Sequence, residues 1–74
     1  MDINYEKQVG AKIRELRIER KLTQEQVAAK LQVLGCDITR SAFAKIEVGQ
    51  RHIYIDEVKA LKQILNVSFD DILN

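Results

Sequence analysis

The residues best placed for chemistry lie in one short stretch, DITRSAFAKIE, at residues 37–47. Arg40 and Lys45 are cations that can donate to the acceptor atoms of guanine in the major groove of DNA. Ser41 can pair with several bases, and the methyl group of Ala44 can pack against a thymine methyl. On a helix, these four side chains would form a face that carries no large group. Such a face suits a groove about 12 Å wide, which admits a single helix.

A structural interpretation of the same residues stays open at this point. Arg40 and Lys45 are also explained as charges on a solvated helix face, and Ser41 and Ala44 as ordinary surface residues. Residue types alone do not decide between a solvated face and a nucleic-acid interface.

The sequence offers little for catalysis or metal binding. It contains one histidine, His52, and one cysteine, Cys36. We find no nucleophile beside a base, no phosphate-binding loop and no pair of carboxylates suited to acid–base work. A single histidine without a second ligand at useful spacing argues against a metal site. We therefore predict a protein that is not an enzyme, that uses no cofactor, metal or small-molecule substrate, and whose Cys36 is a packed thiol.

Composition and charge limit the class of protein. The chain has 74 residues, of which 46% are hydrophobic and 31% charged, as expected for one small globular domain over residues 1–74. It has no apolar run near the ~20 residues of a spanning helix and no secretory signal, so a cytoplasmic location is expected. The net charge is only +1, but residues 1–54 carry ten Lys/Arg against seven Asp/Glu, and residues 55–74 carry two against four. A mildly basic body fits one anion-facing side, and a solvated surface of mixed charge fits equally well.

Helical spacing of the apolar residues predicts an all-α architecture with five helices and no strand. The first helix is expected over residues 5–20, the second from residue 24, the third just after residue 39, the fourth from residue 55 or 56, and the last over residues 69–73. The predicted N-caps are Thr23, Thr39 and Ser68, and the predicted helix ends are Gly35, Gly49 and Asn66.

The predicted core follows from the inward stripes of these helices. Phe43 and Ile46, three residues apart, form the buried side of the third helix. The remaining inward positions are Val9, Ile13, Leu16 and Ile18 on the first helix, Val27, Ala28, Leu31 and Leu34 on the second, and Val58, Leu61, Ile64 and Leu65 on the fourth.

Three segments together resemble one known family. They are LTQEQVAAKL at residues 22–31, ITRSAFAKIEVGQR at residues 38–51 and VKALKQILNVSFDDIL at residues 58–73. The chain is similar over most of its length to the lambda-repressor-like and Cro-like helix-turn-helix DNA-binding domains. The resemblance implies a five-helix fold, dimeric binding to short pseudo-palindromic operators on double-stranded DNA, and control of transcription.

The resemblance also implies a role for individual residues. It implies that Arg40, Ser41 and Lys45 read bases, with Ala44 beside them. It implies phosphate contacts for Thr39, Gln50 and Arg51. Gln24 is also expected to contact phosphate and, in addition, to support the third helix. Glu47 takes the place of an internal acid that pairs with a base on the first helix, here Arg17.

One segment departs from the family pattern. Seven residues, QVLGCDI, separate Leu31 from Thr39, where about two form the usual turn. We expect the second helix to gain roughly one turn and a longer loop to run through residues 35–38.

A second function from a different class stays open. A protein-interaction module or antitoxin-like partner can keep this fold without binding DNA, and the near-neutral net charge favours it. The slim basic face of the third helix favours DNA, because an interaction helix would present large apolar side chains there.

Overall fold

In a computed structural model that describes residues 3–74, five α-helices follow one another along the chain. They are α1 (Ile3–Glu19), α2 (Gln24–Val33), α3 (Arg40–Glu47), α4 (Ile55–Leu65) and α5 (Phe69–Leu73). No strand occurs between residues 3 and 74, so the predicted all-α, five-helix fold is confirmed. None of the helices in this part of the chain is long and apolar enough to cross a membrane.

Local capping explains where three of the helices begin. Thr23 Oγ1 accepts from Gln26 N at 3.0 Å while Gln26 Oε1 accepts from Thr23 N at 2.8 Å, so the predicted N-cap Thr23 forms a capping box. Thr39 Oγ1 accepts from Ala42 N at 3.1 Å and so caps α3. Ser68 and Asp71 form a further capping box at the start of α5. These bonds satisfy N–H groups that have no partner inside the helix.

The first helix differs from its predicted bounds and stripe. It ends at Glu19, because Lys21 adopts a left-handed φ of +57° and Leu22 N turns back to Arg17 O at 3.2 Å. Ile18, predicted to face inward, is 48% exposed. It lies two residues past Leu16, on the flank of the buried stripe that Val9, Ile13 and Leu16 form.

A single core joins the described helices. Phe43 of α3 lies at its centre and is fully buried, as are Ile13 of α1, Leu31 of α2 and Leu61 of α4. The backbones of α1 and α3 approach so closely that a Cβ atom at Gly10 would lie 2.1 Å from Ile46 O. Only glycine allows this contact, which fixes the depth at which α3 sits on α1.

The seven-residue segment between Leu31 and Thr39 is absorbed differently from the prediction. The helix α2 extends only two residues past Leu31 and ends in a Schellman motif, in which Gly35 N bonds to Gln32 O and Cys36 N bonds to Leu31 O. Gly35 has φ +91°, a value that favours glycine. The helix therefore gains about half a turn, less than the full turn that was predicted.

The rest of the inserted segment is tied to the core. Cys36 and Ile38 are buried, the Cys36 thiol lies 3.8 Å from Asp56 O, and Gln32 Nε2 donates to Ile38 O at 3.1 Å. Leu34, predicted to face inward, is 40% exposed, since it occupies the C-cap just before the left-handed turn. The longer connection between α2 and α3 is thus an ordered loop that packs on the core and leads into the first residue of α3.

Candidate nucleic-acid interface

The outward side of α3 carries the three predicted base readers and Ala44 beside them. Arg40, Ser41 and Lys45 are exposed and Ala44 is half-buried, while the opposite side of the helix is in the core. In the part of the chain that the structure describes, neither Arg40 nor Lys45 has an ion-pair partner. We call these four residues the α3 strip. It presents two uncommitted cations, one hydroxyl and one methyl group to solvent.

The N-terminal end of α3 adds to the positive character of the strip. Thr39 is exposed, and its hydroxyl oxygen accepts the capping bond from Ala42 N. Its hydroxyl hydrogen is not used by that bond and can still donate to an anion. The partial positive charge of a helix N-terminus favours anions at this end.

A buried ion pair anchors the other end of α3. Arg17 Nε lies 2.7 Å from Glu47 Oε2, and the side chains of these residues are 11% and 1% exposed. Arg17 Nη2 donates to Glu47 Oε1 at 3.2 Å, and Arg17 Nη1 donates to Leu22 O at 2.8 Å. The Arg17–Glu47 pair thus lies where the family resemblance implies it, and it ties α1 and the turn after it to α3.

Gln24 joins the same buried network. Its Nε2 donates to Glu47 Oε1 at 2.8 Å, and the residue is half-buried at the first position of α2. The side chain therefore supports α3, and the backbone N–H groups of Gln24 and Glu25, which the capping box does not use, remain for an anion. The carboxylate of Glu47 on α3 thus bonds to both α1 and α2, in addition to the apolar packing between these helices.

The loop after α3 holds two of the predicted phosphate contacts, Gln50 and Arg51, in different environments. Gln50 is exposed. Arg51 forms a bidentate pair with Glu57, with Nη1–Oε1 at 3.0 Å and Nη2–Oε2 at 3.1 Å, and its Nη1 also donates to His52 O at 2.8 Å. The guanidinium lies 5.8 Å from the centroid of the Tyr54 ring, and the hydrogen bond to Glu57 raises the pKa of Arg51 above its usual value. Arg51 is thus held in place, unlike the cations of the α3 strip.

Two residues of this region were not predicted. Glu57 pairs with Arg51, and this pairing follows from the path of the loop. Lys21 lines a depression together with Gln24 and Arg40, so it adds an exposed cation beside the N-terminus of α2. No sequence pattern indicated Lys21, because its place beside Gln24 and Arg40 depends on how the turn after α1 folds.

Two further polar groups near the loop are in contact. His52 Nδ1 contacts the buried carboxylate of Glu6 on α1. Among residues 3–74 no group of three or more His, Cys, Asp or Glu side chains is arranged to hold a metal ion.

Comparison with known proteins agrees with the helix order. The model of a helix-turn-helix family, HTH_3, matches residues 13–72. The crystal structure of the DNA-binding domain of BldD is 26% identical, covers 100% of both chains and superposes with a TM-score of 0.83. The structure of the S. venezulae BldD DNA-binding domain is 25% identical with a TM-score of 0.78, and covers 96% of this chain and 99% of that chain. No curated protein matches significantly. The chain belongs to HTH_3, the lambda-repressor-like and Cro-like helix-turn-helix family.

Proposed function

We propose that this protein is a sequence-specific regulator of transcription that inserts α3 into the major groove of double-stranded DNA. Membership of the helix-turn-helix family supports DNA as the partner, as do the solved structures, which are described as DNA-binding domains. The observation that carries the proposal is the α3 strip, which is slim, cationic and without an ion-pair partner among residues 3–74. A helix used only for packing or for protein contacts has no need of such a face.

The four strip residues divide the task of reading bases. Arg40 is at the first position of α3, where the helix tip points into the groove, and its fork can bind guanine O6 and N7 together. Lys45 lies one and a half turns further on and reaches a neighbouring base pair. Ser41 and Ala44 lie between the two cations, where a small side chain lets the helix approach the base edges.

Phosphate contacts surround the strip on the DNA backbone. Thr39 donates its hydroxyl hydrogen, the N-terminus of α2 at Gln24 presents N–H groups, and Gln50 contacts the backbone from the loop. Arg51 uses three of its five N–H donors within the protein, so Nε–H and one Nη2–H remain for a phosphate oxygen. Its pairing with Glu57 positions those two donors before DNA arrives.

The regulator acts as a homodimer on a pseudo-palindromic operator in the cytoplasm and represses by occupying the site, without catalysis or a cofactor. A chain of 74 residues builds only a small core, and two large apolar side chains, Tyr54 and Ile55, are 59% and 68% exposed just after the DNA-contacting loop. We expect two copies to cover these residues and the two half-sites of the operator to lie one helical turn, ~10 bp, apart.

Selection of bound duplexes from a random pool tests the proposal directly. An enriched palindrome is the expected result, and the same palindrome then serves for measurements on variants. Arg40→Ala or Lys45→Ala should cost roughly 1–3 kcal/mol on that operator and relax the choice of one or two base pairs. Arg51→Ala should weaken operator and scrambled DNA alike and reduce the slope of log affinity against log salt by about one unit. Equal losses for Arg40→Ala and Arg51→Ala on both DNAs would show that the reading face is assigned wrongly.

A protein-interaction or antitoxin-like function is the second candidate, and the net charge of only +1 favours it. That function predicts no enriched sequence and no effect of Arg40→Ala or Lys45→Ala on DNA affinity. The selection experiment therefore separates the two candidates.

A further inference from the structure

A second surface lies between the C-terminal half of α2 and the helix α4. Two adjoining depressions there share Leu34 and Gln63, with volumes of about 650 and 460 Å³. We call them together the α2–α4 groove. Val33 at its edge is 85% exposed, and Leu34 is 40% exposed. The apolar lining is completed by Ala29, Ala60, Ile64, Val67 and Phe69.

The inserted segment after α2 creates this surface. The Schellman turn at Gly35 ends the helix just after it has carried Val33 and Leu34 beyond the core. The side chain of Val33 is 85% exposed, so its burial adds almost nothing to the stability of the fold. Adjoining apolar side chains on a surface mark interaction sites.

The charge around the groove has one dominant sign. Three lysines line it, namely Lys30 from α2 and Lys59 and Lys62 from α4, against one carboxylate, Asp56. Within the described part of the chain none of these lysines is in an ion pair. The ammonium group of Lys62 lies 5.0 Å from the centroid of the Phe69 ring, so cationic and apolar contacts meet in one place.

We propose that the α2–α4 groove binds an acidic amphipathic helix from a partner protein. Apolar side chains of that helix would cover Val33 and Leu34, and its carboxylates would pair with the three lysines. This is the helix-in-groove mode of recognition, with charge complementarity setting the choice of partner. Nucleic acid is a poorer occupant, because a phosphate backbone would satisfy the lysines but leave the apolar residues in water.

The groove is separate from the DNA-binding residues of the proposed function. None of its lining residues belongs to the α3 strip or to the four proposed phosphate contacts. A partner in the groove therefore leaves α3 free, and the proposal stands whether or not α3 binds DNA.

A designed peptide provides the test. The probe is a fluorescein-labelled peptide of about 14 residues, with leucines at i, i+3, i+4 and i+7 and glutamates elsewhere. A matched probe carries lysine in place of glutamate. Fluorescence anisotropy of both probes is measured with the intact chain, and ¹⁵N NMR locates the bound acidic peptide. We expect saturable binding of the acidic peptide, about tenfold tighter than that of the basic one, with shifts confined to residues of the groove.

Variants in the groove and a matched control make the test specific. Val33→Ser and Lys59→Glu change exposed side chains, and each should lower affinity for the acidic peptide about fivefold or more. Arg14→Glu makes the same change of charge on the exposed face of α1 and should alter the affinity less than about twofold. Thermal unfolding checks that each variant is folded. Equal affinity for both peptides, unchanged affinity in both groove variants, or NMR shifts centred on α3 would overturn the proposal.

Two other occupants give distinct results that would also overturn it. If the groove joins two copies of this chain, sedimentation will show a dimer that Val33→Ser dissociates. If the lysines serve DNA, Lys59→Glu will weaken binding of a random-sequence duplex as much as Lys45→Glu does, and the acidic peptide will compete with the duplex.

Discussion

Removal of the buried carboxylate of Glu47 should be among the most damaging single changes in this protein. Glu47 accepts two hydrogen bonds from Arg17 and one from Gln24, and its side chain is 1% exposed. In Glu47→Leu the guanidinium of Arg17, whose side chain is 11% exposed in the wild type, would keep only Leu22 O as a partner. An uncompensated buried charge of this kind costs about 3–5 kcal/mol.

That loss is large compared with the whole stability of the chain. At 0.05–0.15 kcal/mol per residue, 74 residues give a free energy of unfolding of about 4–11 kcal/mol. Urea unfolding followed by circular dichroism measures the change. With a slope near 1–1.5 kcal/mol/M, a loss of 3 kcal/mol lowers the midpoint by about 2–3 M.

A double-mutant cycle separates the ion pair from the packing around it. Arg17→Met alone leaves a buried carboxylate with Gln24 as its remaining donor, so it should also destabilise by several kcal/mol, roughly 3. The double variant Arg17→Met/Glu47→Leu leaves neither member of the pair unpartnered. Its loss of stability should be smaller than the sum of the two single losses by about 2 kcal/mol or more. Arg14→Met on the exposed face of α1 is the control, and it should change stability by less than about 0.5 kcal/mol. Additive losses in the cycle, or a loss below about 1 kcal/mol for Glu47→Leu, would refute the inference that this pair joins the helices.

Three further changes follow from the packing, the inserted segment and the last cap. Gly10→Ala should destabilise the fold by about 3 kcal/mol or more and lower the melting temperature, because the new methyl group would clash with the backbone of Ile46, which cannot move aside as a side chain can. A melting curve like that of the wild type would contradict the close approach of α1 and α3. Cys36→Ser should cost about 1 kcal/mol in urea unfolding through burial of a hydroxyl, yet leave the selected DNA sequence unchanged, and a changed sequence preference would point to a role for the thiol. The hydrogen bond that Ser68 N donates to the Asp71 carboxylate lowers the pKa of Asp71 below 3.8. The ionised carboxylate therefore stabilises the fold above its unfolded pKa, and this contribution is lost as the pH falls through the folded pKa. Asp71→Asn should flatten the fall in stability below pH ~4.

The sequence by itself determined the helices and the face that α3 offers. Their caps and apolar periods depend on residues no more than four positions apart, so local geometry is enough to predict that the helices form. Thr23 and Thr39 are examples, since each bonds to an N–H three residues later, as predicted. The family resemblance added the pairing of Arg17 with Glu47, which local rules cannot supply.

Tertiary structure alone decided which side chains are already committed and which remain free. Gln24 reaches a carboxylate 23 positions away and Arg51 is held by Glu57, while Arg40 and Lys45 have no ion-pair partner between residues 3 and 74. The inserted segment was also settled only in three dimensions. Its glycine ends α2 early, and the chain that follows buries Cys36 and Ile38 in the core while Val33 and Leu34 stay exposed. Contacts of this range depend on how helices pack, and the packing is not encoded in any short stretch of the chain.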